Sequence, residues 1–574
     1  MKNVIICMLN SQYIHSGLAP WCLFAGVKKY CKEEVSAKVI ESNINYDISK
    51  LCDEILEQKP DIIGLCCYIW NIDKVTSLCG MLRASLPKCK IVLGGPEVSY
   101  NIADVLSENP SVDFVLSGEG EKTFAMLCDM LASDEKTYED LKSIPGICMD
   151  GGDGWFISEP NVENDEPVSP FTDEYFAALG GKISYMESSR GCPFSCAFCL
   201  SGRCGSVRFF DIEKTKSNIV KLANSGTKTI KFVDRTFNAS KKRAIEIWSF
   251  IKEEYGKTIP KDVCIHFEIG GDLLDDECLQ LLSEMPEGSI QLEIGIQSFN
   301  EKTLFAINRK TNLEKLYNNI KKIVSFSNMH IHTDLIAGLP YEDLESFRTS
   351  FNRAFSLGSD MLQLGFLKIL HGSPMGENRE EYPCEYSDKA PYEVISTPWL
   401  SKEDISLLKT VDAVNDRYSN SGRFSHSLNY VLSHLSSTPF DMFARFGEYL
   451  GEKAKCSVPL FESAKLFFDF FSSFDEVDST VLEDMLICDF FTHSRYGKLP
   501  AFLKRQDNRV KKVLEYHSHN ETSAKPQNAV RAVSVLRSEN KAVYCDSGVC
   551  AKDDIYFKTR GKYNLHFIDM TDIT

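Results

Sequence analysis

The sequence has no run of about 20 consecutive apolar residues, the length that a helix needs to cross a bilayer. Its apolar start, Val4 to Leu9, is too short for the core of a signal peptide. It also has no long run of Lys and Arg, since 64 basic residues stand against 81 acidic ones and the net charge is −17. These absences argue against a membrane partner and a nucleic-acid tracking surface, and they predict a cytoplasmic protein.

Cysteine, in contrast, is abundant, with 21 residues in a chain of 574. Most cysteines stand singly inside apolar runs, as Cys7 and Cys488 do. In a reducing compartment such cysteines act as small buried hydrophobic side chains, and disulfides are rare. The composition is therefore typical of a cytosolic protein from a low-oxygen setting. The exception is a closely spaced triplet, Cys192, Cys196 and Cys199.

Short apolar runs alternate with helical patterns over residues 1–135. Five strands are predicted, at Asn3–Leu9, Ala37–Ser42, Asp61–Trp70, Lys90–Gly94 and Phe114–Ser117. The alternation predicts an α/β domain whose parallel sheet is doubly wound, of the flavodoxin or Rossmann type. In such sheets, ligands bind beyond the carboxyl ends of the strands.

Residues 136–180 are acidic and rich in turn residues, so they are predicted to be a linker. A second series of strands is predicted within residues 181–380, at Ile183–Glu187, Thr229–Asp234, Val263–Ile269, Ile290–Ile296, Ile331–Ile336 and Met361–Leu367. Because helical stretches separate these strands, they indicate six βα units and hence a partial (β/α)6 barrel. Residues 381–574 are predicted to form a mainly helical domain, with apolar helical faces at Ala464–Phe471 and Thr480–Phe491.

The cysteine triplet directly follows a predicted strand and the pair Arg190-Gly191. Three thiolates in one loop can bind three irons of a [4Fe-4S] cluster and leave the fourth iron open for a ligand from outside the protein. A structural zinc site normally needs four ligands in pairs, and the sequence has no second pair nearby. Two alternatives stay open, which are Cys204 as a fourth ligand and a triplet of merely structural cysteines.

The motif Cys192-Pro-Phe-Ser-Cys196-Ala-Phe-Cys199, with the aromatic Phe198 before its last cysteine, resembles the radical S-adenosylmethionine (SAM) superfamily. In that family the motif follows the first strand of a partial (β/α)6 barrel. The resemblance implies a [4Fe-4S] cluster on the three cysteines, with SAM bound to the open iron. It also implies a reductant such as flavodoxin or ferredoxin, whose electron cleaves SAM to a 5′-deoxyadenosyl radical.

Four further side chains resemble the SAM-contacting positions of oxygen-independent coproporphyrinogen oxidase, namely Glu268, Gln297, Arg309 and Asp334. A carboxylate at a strand end can bind ribose hydroxyls, and an Arg can pair bidentately with the methionine carboxylate. The Gly-Gly-Glu often found on the second strand of these barrels is replaced by Val233-Asp234-Arg235. Asp234 either takes over the contact to the SAM amino group or forms a structural ion pair with Arg235. The resemblance thus assigns Phe198, Asp234, Glu268, Gln297, Arg309 and Asp334 to SAM.

Two glycine motifs follow the fourth and fifth predicted strands, Leu93-Gly94-Gly95-Pro96-Glu97 and Ser117-Gly118-Glu119-Gly120-Glu121. They resemble the cobalamin-binding domain that precedes many radical SAM barrels, and they imply a cobalamin site at Gly94, Gly95, Gly118, Glu119 and Gly120. Glycines at strand ends let the backbone approach a bulky ligand. The alternative is an ordinary flavodoxin-like domain whose glycines only make tight turns.

His15 is the remaining candidate for the cobalamin site. Mutase-type cobalamin domains carry Asp-x-His-x-x-Gly after the first strand, and the His ligates cobalt. Here Tyr13 stands in place of the Asp, so the carboxylate that would orient an imidazole ligand is missing. We therefore expect His15 to lie at the cobalamin edge or to pack structurally, with no protein imidazole on the cobalt.

The resemblance extends from residue 1 to about 375, and the rest is similar to an uncharacterised helical extension found in one branch of these proteins. It implies a cobalamin-dependent methyltransferase in which methylcobalamin donates a methyl group to a substrate carbon radical. One alternative is a ring-contraction or cyclisation enzyme, with or without cobalamin. Another is a non-catalytic cobalamin or redox sensor. No sequence motif names the substrate.

Overall fold

The structure is a computed structural model that describes residues 2–133, 137–204, 206–493, 498–504, 532–549 and 563–570. Within these ranges, no helix is both long and apolar enough to cross a membrane. The elements form two parallel sheets, one after the other along the chain, followed by a helical region.

The amino-terminal part alternates strands and helices. Its elements are β1 (Lys2–Asn10), α1 (Ala19–Tyr30), β2 (Val35–Asn43), α2 (Ile48–Glu57), β3 (Ile62–Cys66), α3 (Ile72–Ser85), β4 (Lys90–Gly94), α4 (Ile102–Glu108), β5 (Phe114–Leu116), α5 (Gly120–Ala132), β6 (Ile147–Asp150) and β7 (Trp155–Ile157). The sheet order is β2-β1-β3-β4-β5-β6-β7, with β1 to β5 parallel and the β6–β7 hairpin antiparallel at the edge. β1, β3 and β5 are buried apolar runs because helices cover both faces of the sheet. The predicted doubly wound sheet is confirmed.

The third strand is shorter than predicted, because it ends at Cys66 rather than at Trp70. Asn71 Nδ2 donates to the carbonyls of Cys66 and Leu9, each at 3.0 Å, and Asn71 Oδ1 accepts from the amide of Tyr68 at 2.8 Å. This buried side chain holds a turn at the end of the strand. Residues 67–70 therefore form a loop, in which Cys67 is buried and the rings of Tyr68 and Trp70 stack, rather than a longer strand.

The central part contains α6 (Asp173–Leu179), β8 (Ser184–Met186), β9 (Ser189–Arg190), β10 (Arg208–Phe209), α7 (Ile212–Ala223), β11 (Thr229–Phe232), α8 (Lys241–Glu254), β12 (Cys264–Ile269), α9 (Asp276–Ser283), β13 (Ile290–Gln297), α10 (Glu301–Ala306), α11 (Leu313–Phe326), β14 (His330–Ala337), α12 (Leu344–Phe355) and β15 (Met361–Phe366). Six of these strands form a parallel sheet in the sequential order β8-β11-β12-β13-β14-β15. The two end strands do not pair with each other, so the sheet is the open, partial barrel that the strand spacing predicts.

The barrel strands have one apolar and one polar face. On β12, Ile265, Phe267 and Ile269 are buried in the core, while His266 and Glu268 alternate with them on the opposite face. The polar face is therefore the inner face of the partial barrel, and it carries the candidate site.

The carboxyl-terminal part contains α13 (Pro374–Glu377), β16 (Glu385–Tyr386), β17 (Val394–Ser396), α14 (Lys402–Val414), α15 (Ser425–His434), α16 (Pro439–Leu450), α17 (Leu460–Phe471), α18 (Ser479–His493), β18 (Ala532–Leu536), β19 (Lys541–Val549) and β20 (Tyr563–Asp569). An aromatic core around Tyr418, Phe446 and Phe467 joins its helices. The predicted helices lie within α17 and α18. The mainly helical character is confirmed, whereas the domain boundaries at 135, 180 and 380 stay predictions.

Candidate active site between the two sheets

The three cysteines lie in the loop that follows β9, at the carboxyl end of the first barrel strand. Cys192 and Cys196 are buried, Cys199 is half-buried, and none of them forms a disulfide. The amide of Cys199 donates to the carbonyl of Cys196 at 3.1 Å, and Cys192 Sγ lies 3.5 Å from Thr236 Oγ1. All three thiols therefore lie in one loop near the barrel opening.

The chemistry of the donor set suits a cluster. Three thiols in one loop match the three thiolate ligands of a [4Fe-4S] cluster whose fourth iron is left open. A structural zinc site would need a fourth ligand.

The cysteine loop is held by segments from elsewhere in the barrel. The amide of Ala197 donates to the carbonyl of Ile307 at 2.9 Å, and Asn308 Nδ2 donates to Ser195 Oγ at 2.6 Å. Gly191 has φ of +99°, and a Cβ there would lie 2.6 Å from a backbone oxygen. These contacts hold the loop through its backbone and through side chains other than the cysteines.

Arg309 connects the cysteine loop to the end of β13. Its Nη2 donates to the carbonyl of Gly295 at 2.5 Å, and its Nη1 lies 3.8 Å from Cys196 Sγ. Burial raises the pKa of the Cys196 thiol, and the Arg309 guanidinium opposes that shift. Arg309 Nε is buried and has no hydrogen-bond partner among the described residues, which leaves a donor available to a ligand.

Gln297 lies beside Arg309. Its φ is +71°, a left-handed value that is uncommon for residues other than glycine, and the strand register shifts between Gly295 and Gln297. Its amide lies over Gly295, where a Cβ would come within 2.2 Å of Gln297 Nε2. The predicted SAM residues Gln297 and Arg309 are therefore brought together at one strand end.

Two predicted carboxyl groups, those of Glu268 and Asp334, face the barrel interior nearby. Burial and then the neighbouring Glu293 raise the pKa of Glu268 to about 7. Burial, Glu293 and Glu268 raise the pKa of Asp334 well above its usual range. Asp334 Oδ1 lies 3.4 Å from His332 Nε2, yet neither atom forms a hydrogen bond within the described chain. Both atoms are thus available to a bound ligand.

Sequence reasoning missed a polar layer below these carboxyl groups. It consists of Lys231, His266, Glu293 and His332. Glu293 Oε2 accepts from His266 Nε2 at 2.9 Å and lies 3.3 Å from Lys231 Nζ, and these partners hold the pKa of Glu293 below its usual range despite burial. The signal was present, since polar residues occupy alternate positions of predicted strands, as in His332 and Asp334.

Asp234 is placed differently from the other predicted SAM residues. It is almost fully buried, and it accepts from the amide of Ser188 at 2.7 Å, from Ser188 Oγ at 2.8 Å and from Ser189 Oγ at 2.5 Å. Burial raises its pKa to about 6. These hydrogen-bond partners of Asp234 lie on Ser188 and Ser189 and not on Arg235. Asp234 fixes the turn that leads to the cysteine loop, and Phe198 packs in that loop against the core.

The glycines predicted to border cobalamin are required for different physical reasons. Gly95 (φ +120°) and Gly118 (φ +91°) would place a Cβ 2.4 Å and 2.1 Å from the carbonyl oxygens of Cys67 and Asn161. Backbone packing alone therefore requires glycine at both. At Gly94, in contrast, a Cβ would approach only a backbone oxygen at 3.6 Å. Gly94 opens onto free space at the carboxyl end of β4.

Glu119 and Glu121 form an ion-pair cluster with the barrel. Arg190 Nη1 lies 2.5 Å from Glu119 Oε2, and Arg190 Nη2 lies 2.5 Å from Glu121 Oε1. Arg208 Nη2 also pairs with Glu119 at 2.7 Å. Glu119 is thus engaged by two guanidinium groups next to the cysteine loop. Gly120 precedes Glu121, and a Cβ there would lie 2.8 Å from Leu23 Cδ2.

His15 bridges the two sheets. Its Nδ1 forms a hydrogen bond with the hydroxyl of Tyr185 on β8, and burial together with Lys231 lowers the pKa of His15. On either side, the amide of Ile183 donates to Ile14 O at 2.9 Å and the amide of Ser16 donates to Ile183 O at 3.3 Å. The loop after β1 thus lies along the edge of the barrel.

Exposed aromatic rings gather at the carboxyl ends of the amino-terminal strands. Tyr13, Trp70 and Tyr100 follow β1, β3 and β4, and they are 77%, 42% and 38% exposed. Tyr68 and Trp70 stack with centroids 4.4 Å apart. Sequence reasoning missed the rings of Tyr68 and Trp70, because both residues were included in a predicted strand. Together with Gly94 they form a surface suited to a large flat ligand.

Three segments of the chain match known families. Residues 24–127 match the B12 binding domain, residues 186–354 match the radical SAM superfamily, and residues 380–544 match a protein family of unknown function, DUF4080. The order of these segments is the order that the sequence motifs predict.

Two curated relatives are methyltransferases. The chain is 23% identical over 419 residues to the cobalamin-dependent radical SAM methyltransferase TokK of Streptomyces tokunonensis. It is 25% identical over 417 residues to the 2-(S-pantetheinyl)-carbapenam-3-carboxylate methyltransferase of Streptantibioticus cattleyicolor. Each alignment covers 69% of this chain and 60% of the relative, so the chain spans less than two thirds of their length.

The fold is similar to that of a solved structure, the cobalamin-dependent S-adenosylmethionine radical enzyme OxsB with aqua-cobalamin and S-adenosylmethionine bound. The TM-score is 0.59 at 15% identity, and the match covers 85% of this chain and 79% of that chain. Residues 186–354 thus match the radical SAM superfamily, with a match to the B12 binding domain ahead of them and a match to DUF4080 behind them along the chain.

Proposed function

We propose that the chain is a cytoplasmic, cobalamin-dependent radical SAM methyltransferase that acts on an unreactive carbon. The observation that carries this proposal is the ion-pair cluster of Arg190. Arg190 lies two residues before Cys192, and it pairs with Glu119 and Glu121 directly after Gly118. The cysteine loop and the carboxyl edge of the amino-terminal sheet therefore lie side by side. A methyl donor bound at the edge of the amino-terminal sheet and a substrate radical formed beside the cysteine loop would be close enough to react.

The cysteine loop supports a [4Fe-4S] cluster on Cys192, Cys196 and Cys199. When bound, the cluster supplies the electron that cleaves SAM, and that electron comes from a small reductant such as flavodoxin or ferredoxin. Arg309 offers its unpartnered Nε to the SAM carboxylate, and Gln297 lies beside it. These residues orient SAM beside the cluster.

Glu268 and Asp334 are the groups that we assign to the ribose of SAM, because both face the barrel interior. Asp234 is left out of the contacting set, since its oxygens already accept three hydrogen bonds. The inner layer of Lys231, His266, Glu293 and His332 keeps the space below SAM polar. This polar layer is available to orient a substrate.

Replacing Arg309 with Ala should weaken SAM binding by ~1.5–3 kcal/mol, the range for a hydrogen bond to a charged group. Iron content should stay intact, because Arg309 touches Cys196 only at 3.8 Å. The matched control is Lys310→Ala, which removes the exposed neighbouring cation. SAM affinity is measured by calorimetry on cluster-loaded protein. An unchanged dissociation constant for SAM in Arg309→Ala would show that Arg309 has a purely structural role.

SAM affinity should also depend on pH through Glu268. Its pKa is about 7, and the charged groups that act on it are Glu293, Lys231, Arg235 and Asp234. Only the ionised carboxylate accepts two hydroxyl hydrogen bonds, so affinity should fall about tenfold from pH 8 to pH 6 as Glu268 takes up a proton. In Glu268→Gln the affinity should be lower and should change less over this range. An equal slope in both proteins would disprove the assignment.

The cobalamin site is supported by Gly94 and by the exposed rings of Tyr13, Trp70 and Tyr100 at the same sheet edge. When bound there, cobalamin supplies the methyl group. His15 is engaged with Tyr185, which agrees with a cobalt that has no protein imidazole ligand.

The reaction type is tested with reduced, cluster-loaded protein, cobalamin and SAM. A methyltransferase forms S-adenosylhomocysteine when it methylates reduced cobalamin, and 5′-deoxyadenosine when it makes the radical. A ring-contraction or cyclisation enzyme forms 5′-deoxyadenosine without S-adenosylhomocysteine. A sensor forms neither product. Both products are expected here, and the absence of S-adenosylhomocysteine would contradict the proposal.

A further inference from the structure

A segment that leads from the barrel into the DUF4080 match contacts both candidate cofactor sites. We name residues 367–396 the connecting segment, because it leads from β15 through α13 to β17. On the barrel side, the amide of Met375 donates to the carbonyl of Ala197 at 3.0 Å, between two of the cysteines. Glu377 forms an ion pair with Arg203. The connecting segment is therefore attached to the cysteine loop at two points.

The same segment reaches the loop after β4, through Tyr392. The Tyr392 hydroxyl donates to Glu97 Oε1 at 2.5 Å, and Glu97 is 7% exposed. Burial raises the pKa of Glu97, and the hydrogen bond from Tyr392 opposes that shift. The hydrogen bond from Tyr392 offsets the free-energy cost of burying the Glu97 carboxyl group, and without it most of that cost would remain. Glu97 follows Gly94 and Gly95 by only a few residues, so Tyr392 holds the loop that borders the cobalamin site.

Tyr392 is itself held firmly. Its φ is +56°, and its carbonyl accepts from the amide of Ile369 at 3.0 Å. Its ring packs edge-on against His371, with centroids 4.8 Å apart. A tyrosine keeps a left-handed conformation only where its surroundings fix it. The hydroxyl is therefore presented to Glu97 in one orientation.

A second contact between the connecting segment and the loop after β4 is made at Gly372. A Cβ on Gly372 would come 2.2 Å from Tyr100 Cγ, so the Tyr100 ring lies directly on the glycine backbone. The guanidinium carbon of Arg203 lies 5.3 Å from the centroid of the same ring. Tyr100 belongs to the loop after β4, and Arg203 belongs to the cysteine loop. The connecting segment thus joins the two loops through aromatic and ionic contacts.

We propose that Tyr392 is a positioning residue, and that the connecting segment sets the loop bordering the cobalamin against the cysteine loop. This gives the DUF4080 domain a role in holding the two cofactor sites at a working separation. The inference rests on the proposed function, because it concerns where the corrinoid lies. Tyr392 acts through Glu97 and touches neither cofactor site directly.

The test compares hydroxocobalamin binding by wild-type and Tyr392→Phe proteins, followed by absorbance in the cluster-loaded chain. Tyr392→Phe should bind about tenfold more weakly, in keeping with the loss of one hydrogen bond to a carboxyl group. Iron content and SAM affinity should stay at the wild-type level. The yield of S-adenosylhomocysteine relative to 5′-deoxyadenosine should fall, and the cob(II)alamin electron paramagnetic resonance spectrum should broaden.

Matched variants separate positioning from general destabilisation. Tyr386→Phe makes the same chemical change within the connecting segment and should behave as wild type. Glu97→Gln keeps an oxygen acceptor and should retain most of the affinity, whereas Glu97→Ala should match Tyr392→Phe. The double variant Glu97→Ala/Tyr392→Phe should lose little more than either single one, because both remove the same contact.

Three outcomes would overturn the inference. Tyr392→Phe could bind hydroxocobalamin as tightly as wild type with an unchanged product ratio. It could lose iron together with corrinoid, which would make the contact a general structural one. The losses of hydroxocobalamin affinity in Tyr392→Phe and Glu97→Ala could be fully additive in the double variant. If wild-type protein itself takes up no hydroxocobalamin, the proposed function fails instead, and the two failures are thereby distinguished.

Discussion

We expect Cys196→Ala protein to fold, to hold no cluster iron above background and to form no 5′-deoxyadenosine from SAM. Cys196 stands between Cys192 and Cys199 in a loop that is fixed by Ile307 and Asn308. Removing the central thiolate leaves a cubane with two ligands, which is unstable and displaced from Arg309. Iron and sulfide analysis together with product chromatography gives the result. Cys192→Ala and Cys199→Ala should show the same loss.

Cys204→Ala is the matched control, because Cys204 is the next thiol along the chain. Its side chain lies outside the described residues, so the expectation of a nearly silent substitution rests on sequence spacing alone. Full iron content in Cys196→Ala would defeat the three-cysteine assignment. Loss of the cluster in Cys204→Ala would show a four-thiolate site without an open iron.

The second large effect is expected at Gly94. Gly94→Leu should abolish corrinoid uptake while cluster iron stays at the wild-type level, because the new side chain enters the open space at the end of β4. Gly95 and Gly118 cannot give this result cleanly. A Cβ there would meet backbone oxygens within 2.4 Å, so both substitutions strain the fold whether or not cobalamin binds.

Gly80→Leu is the control for this experiment. Gly80 lies exposed on α3, and a Cβ there meets nothing within 4 Å, so corrinoid uptake should be unchanged. Uptake is measured as cobalt per chain after incubation with hydroxocobalamin and desalting. Gly94→Leu protein that is folded and still takes up a full complement would show that the glycine motifs only make turns.

Much of the fold was predictable, because buried parallel strands have a simple pattern. β1, β3, β4 and β5 are apolar runs between helices, and the six barrel strands recur with helices between them. The one clear error in strand length concerns Trp70. The apolar residues after β3 predict a longer strand. The side chain of Asn71 instead donates hydrogen bonds to the carbonyls of Leu9 and Cys66 and stabilises a turn. The end of β3 therefore depends on one polar side chain, Asn71, whose partner Leu9 is 62 positions away in the sequence.

That Cys192, Cys196 and Cys199 lie together in one loop was predictable, because they are neighbours in sequence, whereas their role as cluster ligands stays a prediction. Contacts between residues that are far apart in the sequence were harder to predict. Glu119 was assigned to the cobalamin site, which stays a prediction, and the structure adds its ion pairs with Arg190 and Arg208. Nothing in the local sequence of Glu119 indicates which cations will reach it after folding. The contact between Glu97 and Tyr392, 295 positions apart, shows the same dependence on tertiary packing.

The most direct test of the account is the iron and cobalt content of anaerobically prepared wild-type protein that has been supplied with iron, sulfide and hydroxocobalamin and then desalted. Absorbance spectra of cluster and corrinoid are recorded on the same sample. The account predicts about four irons and about one cobalt per chain, from one cubane and one corrinoid. A chain that binds about one iron or one zinc, or that binds a full cluster but no cobalt, would contradict it.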